Sequence, residues 1–181
     1  MKNIHLLSLI ILSVFSLSTI GCSGSSDIGV KNLVLGMDKD DACEIIQEYA
    51  VDNSAKYVEK DTYCGADLQK KGWNRQQNYL VVKYGAGDNI LSVKSGSYWT
   101  DIIYNAKDIS SKEFAQAFLD NNSWIDGFGV KTDSVHHAQD TYGVFDSTSN
   151  TFTKVNSENG WSVLINTDKS ILIKKIKKVS F

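Results

Sequence analysis

A capped amphipathic helix followed by a strand-turn-strand pair occurs twice along this chain, and this repetition constrains the fold more than any other feature. Asp38-Lys39-Asp40-Asp41 precedes Ala42, Ile45, Ile46 and Tyr49. That three-and-four spacing collects the apolar side chains on one helical face, with Asp38 as N-cap. Ser110-Ser111-Lys112-Glu113 precedes Phe114, Ala117 and Phe118, with Ser110 and Glu113 spaced as a capping box. After the first helix, residues 79–84 turn at Gly85-Ala86-Gly87-Asp88 into residues 90–93; after the second, residues 161–165 turn at Asn166-Thr167-Asp168-Lys169 into residues 171–173. The helix starts lie 72 residues apart and the hairpins are separated by a similar interval. The pattern predicts an α+β protein of two helix-plus-antiparallel-sheet units, at 31–105 and 106–181. The sequence contains no proline, so its tight turns are expected to rest on Gly, Asn, Asp and Ser.

Ahead of the first unit, Met1-Lys2 and an apolar stretch from Ile4 to Leu17 form a segment too short to span a bilayer but suited to a secretory leader. It runs into Leu17-Ser18-Thr19-Ile20-Gly21-Cys22, which resembles the lipobox of bacterial lipoproteins, although Thr19 stands where those boxes usually carry Leu. The resemblance implies a signal peptide over 1–21, cleavage before Cys22, and a diacylglycerol and palmitate on that cysteine. Residues 22–30 would then be a flexible tether, polar in Ser23-Gly24-Ser25-Ser26-Asp27. Ser23 at the second position, in place of Asp, implies sorting to an outer membrane, with the domain facing the periplasm. An ordinary secretory leader cut at the same bond is the alternative, and it leaves Cys22 as a free thiol.

The lipobox reading also pairs the remaining cysteines. The chain has three cysteines, and with Cys22 lipidated, Cys43 and Cys64 are left to form a disulfide in an oxidising compartment. Their role is expected to be structural, since no C-x-x-C arrangement is present.

Leu35-Gly36-Met37-Asp38-Lys39-Asp40-Asp41-Ala42 resembles the opening of small outer-membrane lipoproteins of the SmpA/BamE type, with Asp38 in place of the usual Thr or Ser cap. That resemblance implies helices packed on a three-stranded antiparallel sheet. A tandem of such units with a disulfide from helix to loop is similar to the β-lactamase inhibitory protein, whose concave sheet grips a target enzyme. The Leu-Gly-x-Pro that closes the helix in the SmpA/BamE type is missing here, and no binding residue carries over.

Composition excludes several classes of function. Removing Lys2 with the leader leaves 18 basic against 21 acidic residues, a balance that argues against nucleic-acid binding. Arg75 is the single arginine, so Arg clusters for phosphate or carboxylate recognition are missing. His136 and His137 are the only histidines after the leader. As neighbours they point to opposite faces of a strand, and no metal-ligand spacing accompanies them. The sequence has no G-x-S-x-G elbow, and its Asp-rich stretches lack the Gly and Glu of a calcium loop at the required positions. Gly85-Ala86-Gly87 lies between strands and reads as a hairpin turn, not a phosphate cradle. No cofactor is expected and no enzymatic activity.

Two features could meet a partner. Tyr98-Trp99-Thr100-Asp101-Ile102-Ile103-Tyr104 follows the first hairpin. If its rings face out from the sheet, Trp99, Tyr98 and Tyr104 are expected interface anchors; if the strand is covered on both sides, they are core. Trp73, Trp124 and Phe128 carry the same two readings. Lys174-Lys175-Ile176-Lys177-Lys178 suits either anionic headgroups or, better, the lysine protection of an edge strand. The expected function is a membrane-anchored, non-catalytic protein-binding or envelope-assembly module in the bacterial envelope, with a protein partner and no nucleic acid. An inhibitor, immunity or superinfection-exclusion lipoprotein acting on a secreted enzyme or toxin is the alternative.

Overall fold

The computed structural model describes residues 28–69, 75–122, 124–125, 144–146, 151–156 and 159–178. Along the chain run β1 (Gly29–Val30), β2 (Leu33–Val34), α1 (Lys39–Asp52), β3 (Lys56–Lys60), β4 (Tyr63–Asp67), α2 (Arg75–Asn78), β5 (Tyr79–Tyr84) and β6 (Ile90–Ser95). They are followed by α3 (Ser97–Tyr104), α4 (Ser111–Asp120), β7 (Val144–Asp146), β8 (Thr151–Asn156), β9 (Trp161–Ile165) and β10 (Ile171–Lys175). The α+β class is as the sequence predicts.

β1 and β2 form a small ribbon, and the other eight strands form one antiparallel sheet in the order β3-β4-β5-β6-β10-β9-β8-β7. Each half of that sheet is a four-stranded meander of consecutive strands. The halves meet along β6 and β10, where Ile171 lies opposite Ser95 and Ile173 opposite Val93. The strands of the two expected units therefore share one continuous sheet.

Both capped helices form where the sequence places them. The Asp38 side chain accepts the Asp40 amide at 2.8 Å, and Ala42, Cys43, Ile46 and Ala50 bury the inner face of α1. The capping box at α4 is complete: Ser110 accepts from the Glu113 amide, and the Glu113 carboxylate accepts from the Ser110 amide at 2.9 Å. Donation from the Ser110 amide, and from the Ser110 hydroxyl at 2.7 Å, holds the Glu113 carboxyl below its ordinary range.

Strand alternation puts the core on one side of the sheet. Leu80 and Val82 of β5, Val93 of β6, Val163 and Ile165 of β9, and Ile171 and Ile173 of β10 are all buried, and the helices cover that face. A disulfide joins Cys43 of α1 to Cys64 of β4, with a Cα–Cα distance of 5.8 Å. It ties the helix layer directly to the sheet.

Two local expectations need correction. Residues 98–104 are not a strand but lie in the helix α3. Trp99, Ile102 and Ile103 repeat at helical spacing, and Gly96 sets the entry to that helix: a Cβ there would stand 2.4 Å from the Gln77 carbonyl oxygen. The turns also recruit more than the expected residue types. Ser54, Asp88 and Asn105 take left-handed backbone conformations, as foreseen, but so do Lys31 and Lys169.

Candidate partner-binding face

The aromatic anchors expected from the sequence do not form an exposed patch. Trp99 is fully buried, its Nε1 donating to the Asn78 carbonyl at 2.8 Å and its ring edge-on to Tyr49 at 6.2 Å. It is a core residue, because α3 is amphipathic and turns this position toward the sheet. Tyr98 is half-buried and packs against the same core. Tyr104 is half-buried as well, in edge contact with Phe114 at 5.5 Å and Phe118 at 5.8 Å. Burial pushes its phenol well above the ordinary range, and the Lys31 ammonium lies over its ring at 5.0 Å. Trp124 is also core, edge-on to Trp161 at 5.0 Å. Cys22, Trp73, Phe128, His136 and His137 lie outside the described residues. Among the described residues, no three His, Cys, Asp or Glu side chains converge as metal ligands, and no helix is long and apolar enough to cross a membrane.

The opposite face of the sheet has a different character. Cys64 points to α1 through its disulfide, so Tyr63 and Gly65, its strand neighbours, point away from the helices. The register carries this face across the sheet. Tyr63 pairs with Lys83, Lys83 with Ser92, and Ser92 with Lys174. One row along, Gly65 pairs with Val81, Val81 with Lys94, Lys94 with Leu172, and Leu172 with Leu164. Tyr79 lies one row further along β5, opposite Asp67. Apart from Gly65, Asp67 and Leu164, these residues line a cleft of about 610 Å³.

This face mixes apolar and cationic side chains. Tyr63, Tyr79, Val81, Leu164 and Leu172 are all half-exposed, which is incomplete burial for large apolar groups. Lys56, Lys60, Lys83 and Lys174 are exposed around them, and Lys94 is half-buried near the middle. Asp67, 8% exposed, is the only acidic residue among the positions of this face on β3, β4, β5, β6, β9 and β10; by register Asp146 joins the face at the far edge strand β7. The ion pairs of the described residues lie elsewhere, between Lys39 and Asp88 and between Lys169 and Asp101.

Charge is segregated through the molecule. The outer side of α1 exposes Asp40, Asp41, Glu44, Glu48 and Asp52, while lysines dominate the far side of the sheet. The near-neutral composition therefore conceals a strongly divided surface.

The lysine run near the C-terminus also requires revision. β10, which carries Lys174 and Lys175, is a central strand between β6 and β9, so these lysines do not guard an edge. Lys174 projects onto the open face because it alternates with buried Ile171 and Ile173. The alternation at Tyr79-Leu80-Val81-Val82-Lys83-Tyr84 carried the signal for this face. What the sequence lacked was the pairing of β6 with β10, which brings Leu172 and Lys174 beside Lys94 and Ser92.

No protein family, curated protein or solved structure was found to match this chain.

Proposed function

We propose that this chain is a membrane-anchored lipoprotein whose domain is a non-catalytic protein-binding or envelope-assembly module, with the sheet face that no described helix covers as its partner surface. The observation that carries the proposal is the set of partly exposed apolar side chains Tyr63, Tyr79, Val81 and Leu172, interspersed with lysines. Large apolar groups left half-covered in a cleft are what a partner surface offers as anchors. The anchor part rests on the leader and on Cys22, and the resemblance to outer-membrane lipoproteins of the SmpA/BamE type supports the envelope setting. The non-catalytic part rests on a sequence without a nucleophile elbow or spaced metal ligands.

Photo-crosslinking in the host envelope tests this reading. A benzophenone side chain introduced at Leu172 is expected to trap one partner, and the same probe at Gln47 on α1 none. Trapping only from α1 overturns the choice of face. Palmitate labelling of the wild type but not of Cys22→Ala supports the anchor, and equal labelling removes it.

The enzyme-inhibitor reading draws support from the single eight-stranded sheet with one open face, the feature by which the β-lactamase inhibitory protein grips its target. A crosslinked partner that is one soluble secreted enzyme favours that reading, whereas a barrel-assembly or cell-wall complex favours the envelope module.

A further inference from the structure

Taking the open face as the partner surface, we infer that its occupant is an acidic polypeptide segment carrying one large apolar side chain. The apolar group sits over Val81, beside Tyr63 and Tyr79, and neighbouring carboxylates pair with Lys83 along β5 and with Lys94 and Lys174 across the sheet.

The register sets the geometry. Lys83 and Lys174 lie opposite Ser92 from its two sides, so their backbones are two strand spacings apart, about 10 Å. Lys94 is two residues along β6 from Ser92, about 7 Å away on the same face. An extended segment places its residues i and i+2 on one side at the same spacing of about 7 Å, which suits a carboxylate set two residues from the anchor. None of these three lysines has an ion-pair partner among the described residues, so a carboxylate there gains attraction without displacing another.

The same features discriminate against other anions. Lys94 is half-buried and lines the cleft beside Val81 and Leu172, so a protruding side chain reaches it and a flat headgroup layer does not. Nucleic acid is disfavoured because no described strand position of the face is an arginine that could make bidentate phosphate contacts. The acidic outer side of α1 repels the same ligand and directs it to the sheet.

The test measures fluorescence anisotropy of a labelled short peptide, one phenylalanine flanked on each side by glutamates, against the purified full chain. Three comparators are the same peptide with lysines for glutamates, the same peptide with alanine for phenylalanine, and phosphatidylglycerol vesicles. The acidic phenylalanine peptide alone should bind, with an affinity that falls by about tenfold or more between about 50 and about 500 mM salt. Lys94→Glu and, at an exposed position, Lys83→Glu should each weaken it by about tenfold, while Glu48→Lys on α1 leaves it unchanged. Equal binding of the lysine peptide, insensitivity to salt, or vesicle binding that requires Lys83 and Lys94 overturns the inference. If no peptide binds but Leu172 still crosslinks a partner, the acidic chemistry is wrong and the partner face stands. If that crosslink fails too, the face itself is wrong.

Discussion

The Lys169 ammonium lies 2.7 Å from Asp101 Oδ1, joining the turn between β9 and β10 to helix α3 across the boundary of the two sheet halves. It also donates to the Ala106 carbonyl at 2.6 Å. The side chains of Lys169 and Asp101 are only 12% and 23% exposed, so this pair is largely shielded from water and its geometry fixed by several bonds. Those bonds explain why a lysine tolerates φ of 66°, a conformation that glycine or asparagine ordinarily supplies.

Removing this ammonium should destabilise the fold more than loss of a surface ion pair. Lys169→Met leaves a buried carboxylate and a carbonyl without their donor, at a cost of about 2 kcal/mol. Urea unfolding of Lys169→Met, Asp101→Ala and the double variant should give a coupling energy above about 1 kcal/mol. Additive single-variant losses would show that the two residues act independently.

Trp99 should behave as a core residue. Trp99→Ala is expected to cost about 3 to 5 kcal/mol and to remove the cooperative thermal transition. Trp99→Phe keeps most of the packing and gives up the hydrogen bond to Asn78, for a loss of about 1 to 3 kcal/mol. A Trp99→Ala protein with wild-type stability would contradict its complete burial.

The disulfide should resist labelling and contribute to stability. Cys64 is fully buried and 21 residues from Cys43, and closing a loop of that length lowers the entropy of the unfolded chain by an amount worth about 3 kcal/mol. Alkylation of the native, oxidised protein should modify neither cysteine. The Cys43→Ala/Cys64→Ala double variant should unfold at clearly lower urea, and an unchanged midpoint would contradict a structural role.

The α4 capping box predicts a specific pH dependence. The Glu113 carboxyl is held below its ordinary value of 4.5, so it binds a proton less readily folded than unfolded. Its contribution is complete above the ordinary carboxylate range and is lost as pH falls through that value toward the lower folded one. Stability curves of wild type and Glu113→Gln should therefore converge as the solution is acidified. Ser110→Ala removes the reciprocal cap and should cost about 1 kcal/mol at neutral pH. A constant gap between wild type and Glu113→Gln at every pH would show that the charge is not involved.

Local signals in the sequence account for much of this fold. The caps at Asp38 and Ser110 and the hairpin turns near Gly85 and Asn166 are legible because each is specified within a few residues. The β3–β4 hairpin was not legible, since Gly65 and Asp67 are poor strand formers; their strand forms through its ladder with β5 and the Cys43–Cys64 bridge. Helix α3 escaped because its aromatic and β-branched residues also suit a strand, and the choice is settled by the approach of Gly96 to the Gln77 carbonyl. The candidate face was hidden for a related reason. Val81 and Leu172 come to flank Lys94 only through a contact distant in sequence.

The pairing of β6 with β10 also orders the events of folding. β6 ends at Ser95, and its partner begins only at Ile171, so the first meander can be complete while one border still shows unpaired amides and carbonyls. Until β10 arrives that border is a template for any other extended chain. Its closure waits for a strand that lies far along the chain, which makes it a slow, non-local step. A chain cut before Ile171 would lose one strand and gain two sticky rims, at β6 and at β9, so a truncation there should aggregate.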